Sequence, residues 1–416
     1  MNERKLRVLL IVQPERTDFY NYLRSAENIE WILLWYEKPG QMKLNESELP
    51  LEFTSIWYWT DFSTPFRLLK KIDPDRIVFF EIIDLRQIAL NIAANACKIP
   101  TFYLEHGAAG DKNTAVERWK EIRFRQQKLP YLANRLKSAW FDVVRSKLFY
   151  YSVFTGFYSI RSYIKYLILP FKMLSGAPNK ILTFNKFPER VPKLSIVFNQ
   201  ANFDEFALYT GIKHEDALFT GVPYFDQYYK SGGSVKNYIF YIDAPFMEEN
   251  LCGWTINHHN HIANKLFEFA EKSGIHVYIK LHPRSKKENW FNYNPKSDHV
   301  TIIQNGDYTD LFLDSKLILG YSSSLLNGFL CARKNIVFLG WHPQPVNFGF
   351  DFSSTGLCHF SSSPEELLEK YPDWINHNLT FENEEIFECY LKRFNYPFDG
   401  KATERVINAI IQNEIS

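Results

Sequence analysis

Cysteine is scarce in this chain of 416 residues: Cys97, Cys252, Cys331, Cys358 and Cys389 are odd in number, scattered, and form no CxxC pair. That excludes a disulfide framework and a cysteine-based zinc site, and suits reduced thiols in a cytosol. Glycine-rich phosphate loops are missing as well. Neither GxGxxG nor GxxxxGK[ST] occurs, which disfavours an ordinary dinucleotide enzyme or a P-loop kinase. No run of about 18 uncharged apolar residues exists, so no membrane-spanning helix is expected. The first apolar stretch, Val8 to Val12, is too short for a signal-peptide core and reads as a buried strand, so a cytoplasmic location is expected. Net charge is nearly absent too. At +1, the molecule as a whole offers nucleic acid no electrostatic partner.

What is present is alternation. In the first half, strands are expected at Arg7–Val12, Ile29–Tyr36, Ser55–Trp59, Ile77–Phe80 and Pro100–Leu104, with a helix over Leu85–Ala96. Further strands are expected at Lys180–Phe184, Ser195–Phe198 and Ala217–Thr220. Nearly continuous apolar strands separated by helices signal a parallel sheet covered on both faces. After Gly221-Val222-Pro223 and the Ser231-Gly232-Gly233-Ser234 linker a second series begins: Tyr238–Ile242, a helix over His261–Lys272, Val277–Leu281, Val300–Ile303, a helix near Thr309–Leu313, Leu317–Leu319, a helix from Ser324, and Ile336–Leu339. Two helices, Glu384–Tyr390 and Thr403–Ile411, close the chain. The expected architecture is therefore α/β with two Rossmann-like, doubly wound domains, residues 1–228 and 229–416, and the last helices packing back on the first domain. Ligands in such folds bind beyond the carboxyl ends of the strands, in a cleft between the domains.

Residues 118–177 break the pattern. Twelve Lys and Arg face two acids, Glu121 and Asp142, a surplus of ten in a protein whose total is +1. Aromatics such as Trp119, Trp140, Phe154, Tyr158 and Phe171 are interleaved with them. A basic, aromatic helical insertion suits the headgroup layer of an anionic membrane; the alternative is a local aromatic core with solvated charges. RNA is not favoured, because no recognised RNA module accompanies the segment.

Residues just after strands carry the chemistry. Val277 to Leu281 runs into His282-Pro283-Arg284, where Pro283 stops the strand. Lys280, His282 and Arg284 offer donors and charge to phosphate oxygens, although a plain strand-end turn would look similar. Leu317 to Gly320 leads through Tyr321 to Ser322, Ser323 and Ser324 at a helix start, where unpaired amides and the dipole attract an anion. Capping needs one serine, so three leave hydroxyls for a phosphate. In the first domain Leu104 is followed by Glu105-His106-Gly107. A histidine of near-neutral pKa suits removal of a proton from an acceptor hydroxyl; Glu105 is the alternative base, and Gly107 would permit a sharp turn and close approach. Asp243 and His342 also follow strands and are expected to line the cleft with Gly107 and Tyr321. His258, His259 and His261 lack the i, i+4 spacing of a helical zinc site. Asp73-Pro74-Asp75 precedes its strand and reads as a turn, not as a metal-binding DxD motif. No metal site is expected.

Taken together, His106-Gly107, Gly221-Val222-Pro223 with Asp226, Lys280-Leu281-His282-Pro283, Gly320-Tyr321-Ser322-Ser323 and the tail Asp399-Gly400-Lys401-Ala402 resemble bacterial surface-polysaccharide transferases of the GT-B fold. These are the polysialyltransferase-like and capsular Kdo-transferase-like groups, related to the CDP-glycerol glycerophosphotransferases. The resemblance implies a metal-independent, inverting glycosyltransferase of capsule or lipopolysaccharide synthesis. Its co-substrate would be a nucleotide-sugar, CMP- or CDP-linked, its acceptor a glycan or lipid-linked glycan, and its place the inner face of the plasma membrane. His282, Ser322 and Ser323 would hold the donor phosphate and His106 would act as base. Sialyltransferases usually place an acidic pair before this glycine, so Glu105 stays open for that role. Three alternatives share the fold: a CDP-polyol phosphotransferase, a non-hydrolysing UDP-sugar 2-epimerase, and an inert glycan-binding scaffold.

Overall fold

In the computed structural model, which describes residues 4–36, 38–41, 44–107, 144–173, 178–229, 235–291, 297–304, 306–344 and 350–412, the chain forms two compact units. The first is Met1–Tyr224 with Lys401–Ser416, the second Phe225–Gly400. Each is an α/β unit around one parallel sheet.

In the first unit the strands are β1 (Leu6–Ile11), β2 (Ile29–Leu34), β3 (Phe53–Trp57), β4 (Arg76–Phe79), β5 (Thr101–Leu104), β6 (Leu194–Val197) and β7 (Ala217–Phe219). They are arranged β3-β2-β1-β4-β5-β6-β7, every pair parallel. Strands β1, β4, β5 and β6 are buried almost throughout, as their unbroken apolar sequences require of a sheet covered on both faces. Helix starts are written locally. Thr64 accepts from the Arg67 amide, with Pro65 opening the helix Pro65–Ile72, and Asp84 with Gln87 forms a capping box on Leu85–Ala96.

The second unit contains β8 (Lys236–Ile242), β9 (His276–Lys280), β10 (Val300–Ile303), β11 (Ser315–Gly320), β12 (Ile336–Leu339) and β13 (His359–Ser361). Their order is β10-β9-β8-β11-β12-β13, again parallel. Winding outward in both directions from the β8/β11 pair makes the carboxyl ends of those two strands the topological switch point, where doubly wound sheets bind ligands.

Several expectations change. The run Lys180–Phe184 is not a strand but lies in the helix Pro178–Phe184. A short apolar run does not distinguish strand from buried helix, and a proline suits a first helical position. The helix expected from His261 begins at Ile256, because Thr255 caps it through the His258 amide. Strand β13 and the helix Pro364–Trp374 were not foreseen. Of the basic insertion, residues 118–143 and 174–177 lie outside the described residues, as does the Ser231–Ser234 linker. What is described of the insertion is helical at 144–151 and at Ile160–Lys172. No helix among the described residues is long and apolar enough to cross a membrane.

Candidate active site

In the second unit the end of β8 delivers Asp243 beside the end of β9. The Asp243 amide donates to the Lys280 carbonyl (2.9 Å), continuing the β8/β9 ladder by one residue. Asp243 is buried, and its Oδ2 has no hydrogen-bond partner among the described residues. Burial pushes its carboxyl up to about 7, and nearby Glu248 adds to the rise. Lys280 is half-buried, and its amine is held below the usual range by burial, against the opposing pull of Asp243.

His282 stands one residue beyond the apolar anchor Leu281. Its Nδ1 accepts from the Arg284 amide (3.1 Å), which leaves the proton of the neutral ring on Nε2. Burial lowers its pKa, and the positive charges of Lys280 and Arg284 lower it further. Near neutral pH it is therefore a neutral donor through Nε2. The turn is braced by Gln304, whose side-chain amide donates to the carbonyls of His282 (3.2 Å) and Ser285 (2.8 Å). Arg284 is exposed and paired with Glu249 at 2.5 Å.

Across the switch point, Ser323 caps the helix Ser324–Cys331, accepting from the Leu325 amide (3.3 Å). Ser322 donates to the Phe350 carbonyl (3.1 Å), and Ser324 is exposed at the first helical position. Among the described residues, Ser322 and Ser323 are engaged in the fold and Ser324 alone of the three presents its hydroxyl outward, whereas plain sequence reasoning left two to spare. Tyr321, expected to line the cleft, is buried in the core against Phe246 and Trp254, with its hydroxyl 3.4 Å from that of Tyr241. A strand-end aromatic flanked by buried aromatics goes inward. His342, after β12, accepts at Nδ1 from the Trp254 indole (3.1 Å), and burial lowers its pKa to about 4. It is a second neutral imidazole at the carboxyl edge of this sheet.

In the first unit, β5 ends in a tight cluster. Glu105 is 7 % exposed, and its Oε1 accepts from the amides of His106 (2.8 Å) and Gly107 (3.0 Å), while Oε2 accepts from the Tyr103 hydroxyl (3.0 Å). Burial raises the Glu105 pKa; these three donors oppose the rise. His106 is more exposed. Its Nδ1 lies 3.8 Å from Glu105 Oε1, and its ring packs 4.7 Å from Phe19. Gly107 needs no unusual backbone: among the described residues a Cβ there would meet only Glu105 Oε1, at an ordinary 3.7 Å. Asn202 donates to the Gly107 carbonyl (2.8 Å) and ties the loop to the helix Gln200–Thr210.

The same unit holds a cavity of about 360 Å³, beyond the end of β3 and at the starts of two helices, which sequence reasoning did not single out. Arg67, Arg86 and Arg145 line it with Trp59, Phe62 and Asp61. Arg86 lies over the Trp59 ring at 5.3 Å. The histidines near 258 do not converge: His258 Nε2 meets the Trp341 carbonyl (2.9 Å) and His259 packs edge-on against Trp290. No group of three or more metal-binding side chains occurs among the described residues. Asp73 and Asp75 serve the turn before β4, where Asp75 accepts from the Arg7 amide (2.8 Å).

A family profile described as alpha-2,8-polysialyltransferase matches residues 62–308, more than half of the chain. The chain belongs to the alpha-2,8-polysialyltransferase family. It is a glycosyltransferase. The matched span contains Glu105–Gly107 and Lys280–Arg284 but stops short of Ser322–Ser324. No curated protein matches the sequence. Among solved structures, the transferase resembles the wall teichoic acid polymerase TagF (TM-score 0.52, 12 % identity, covering 99 % of this chain and 89 % of that one). It also resembles the glycotransferase of kitacinnamycin (0.51, 10 %, 98 % and 99 %) and a putative UDP-N-acetylglucosamine 2-epimerase from Listeria monocytogenes (0.51, 11 %, 99 % and 98 %). At such identities the likeness concerns the fold, which is GT-B.

Proposed function

We propose that this transferase moves a sugar from a CMP-linked donor to a hydroxyl of an acidic, lipid-linked glycan in bacterial capsule or lipopolysaccharide synthesis, with inversion and without a required metal. The observation that carries the reading is His282, locked by the Arg284 amide so that a neutral Nε2–H is presented at the carboxyl edge of the second sheet. A donor held there meets Nε2–H, the Lys280 amine and the amide-rich helix start at Ser323 and Ser324. As the bond from the anomeric carbon to phosphate breaks, its electron pair passes to the phosphate oxygen, and these donors stabilise the growing charge. Arg284 joins them by exchanging its exposed pairing with Glu249 for the phosphate.

His106 serves as the base that takes the proton from the acceptor hydroxyl, whose oxygen attacks opposite the leaving phosphate. Glu105 is nearly enclosed and committed to two amides and a tyrosine, so it acts as the positioning residue of this loop. The arginine-lined cavity beside Trp59 suits carboxylates of an acidic acceptor, with a sugar face against the indole. The family relationship supports CMP as the nucleotide.

The test is incubation with CMP-, CDP-, UDP- and GDP-sugars and an oligosaccharide acceptor, with the anomer of the product read by NMR. Transfer from a CMP-sugar with inversion is expected, and His282→Ala should lower kcat by roughly 10²–10³ without changing the melting temperature. A retained configuration would sink the single-displacement scheme. Interconversion of UDP-N-acetylhexosamines without acceptor would make the protein an epimerase.

A further inference from the structure

The helix Ile160–Lys172 carries two apolar faces. One, with Ser162, Tyr166, Leu169 and Pro170, is buried in the first unit. The other runs Ile160, Ile164, Leu167, Ile168 and Phe171, the i, i+4, i+7, i+8, i+11 spacing of a continuous stripe, and it is exposed: Ile160 by 76 % and Phe171 by 68 %. Exposed aromatics also flank the helix in sequence. Phe154 (71 %) and Tyr158 (68 %) precede the helix. Phe184 (76 %) ends the neighbouring helix, where Asn185 donates to the Lys165 carbonyl at 2.9 Å. An isolated exposed leucine needs no explanation; a contiguous stripe on one surface does.

The charge around the stripe is one-sided. Between Asp142 and Glu189 the sequence has seven Lys and Arg and no acid. Arg145 and Lys147 lie on the helical stretch 144–151, with Arg161 and Lys172 at the two ends of the striped helix. The underside is rigid: Tyr150 stacks on Tyr166 at 4.1 Å, and the Tyr150 hydroxyl donates to the Tyr166 carbonyl at 2.8 Å. Exposed apolar side chains and an acid-free run of cations on the same stretch of chain match a bilayer interface, where chains bury among acyl groups and cations meet anionic headgroups. An acidic protein partner would explain the cations but not a stripe of bare aliphatic and aromatic groups.

We infer that this face of the first unit, Ile160 to Phe171 with Phe154, Tyr158 and Phe184, docks the enzyme on an anionic lipid surface, the helix lying in the interface plane. The inference deepens the reading of a membrane-linked acceptor by naming the surface that meets the membrane, and it rests on that reading only for its purpose. None of these residues belongs to the candidate active site.

The test is co-sedimentation of the full chain with vesicles of phosphatidylcholine alone or mixed equally with phosphatidylglycerol, at low salt and at high salt. Binding to the mixed vesicles, weakened by salt and slight on phosphatidylcholine alone, is expected. The triple variant Ile164→Ser/Ile168→Ser/Phe171→Ser should lower partitioning at least tenfold while melting temperature and transfer to a soluble acceptor stay unchanged. Should that variant fold poorly, Lys147→Glu/Arg161→Glu is expected to give the same loss through charge alone. Failure of the wild-type chain to bind the mixed vesicles overturns the inference, as does equal binding by the folded variants. So does a variant that only dissociates a dimer, which would make the occupant a second copy of this chain. Vesicle binding without sugar transfer from any nucleotide would instead remove the proposed function and leave the docking surface standing.

Discussion

Asp243 and His282 are neighbours at one sheet edge, and burial shifts their pKa values in opposite directions with the same result, a neutral group. Burial keeps the Asp243 carboxyl protonated to about pH 7 and keeps the His282 ring neutral. For Asp243 the consequence reaches stability. Its folded pKa lies above the ordinary 3.8, so the folded state holds the proton more tightly than the unfolded chain. The associated stability is complete below about pH 4 and is lost as pH rises towards 7. Asp243→Asn removes that loss. Urea unfolding at pH 4.5 and pH 8 should show the variant gaining on the wild type by on the order of 2–4 kcal/mol across the interval. Equal pH dependence in the two proteins would place the carboxylate in contact with solvent. Gly107 provides a second test. Among the described residues a methyl group fits there, so Gly107→Ala should leave the melting temperature unchanged. A fall in transfer rate in that folded variant would report a ligand passing close to the loop backbone.

At the level of elements, strand-end placement is set by register and by caps. The Asp243 amide reaches the Lys280 carbonyl only because Ile242 pairs with Lys280 in the β8/β9 ladder. The helix Ser324–Cys331 owes its position to close packing at Gly328, where an added Cβ would fall 2.7 Å from the Tyr228 ring and 2.8 Å from that of Phe225. Both rings are buried and have little room to yield. Gly328→Ala is expected to cost about 1–3 kcal/mol in denaturant unfolding and to weaken donor binding by shifting the helix start that carries Ser323. A neutral result would mean that the aromatic pair gives way. Most strands were legible in the sequence, since parallel strands such as Val8–Ile11 and Leu317–Leu319 are unbroken apolar runs. Lys180–Phe184 was misread for the same reason: apolar runs of that length look alike in a buried helix. Glu105-His106 and His282 were visible because each follows a strand. Gln304, which follows β10, obeys the same rule, but its role as a brace depends on two carbonyls about twenty residues away.

On the scale of the whole molecule, the chain returns to its first unit after completing the second. The helix Ala402–Gln412 buries Val406, Ala409 and Ile410 in the first unit, where the Arg405 Nε donates to the Thr220 carbonyl (2.8 Å) and the Thr403 hydroxyl to the Pro223 carbonyl (3.3 Å). Truncation after Gly400 should therefore destabilise the first unit rather than the second, to which it is adjacent in sequence. Hydrogen exchange is the direct readout: β6 and β7 should lose protection while β8, β9 and β11 keep theirs, and the opposite pattern would contradict this assignment.

By itself the sequence determined the class of structure and the chemistry at its strand ends. Apolar runs alternating with capped amphipathic helices admit little besides parallel sheets, and a sheet's carboxyl edge is where His282, Ser323 and Glu105 must emerge. Only the tertiary structure decided which of those groups are enclosed and which stay accessible. Burial raises Asp243 and encloses Glu105, neighbouring amides fix the His282 tautomer, and a ring of aromatics draws Tyr321 inward. Those outcomes depend on desolvation and on partners remote in sequence, which no local pattern of residues encodes.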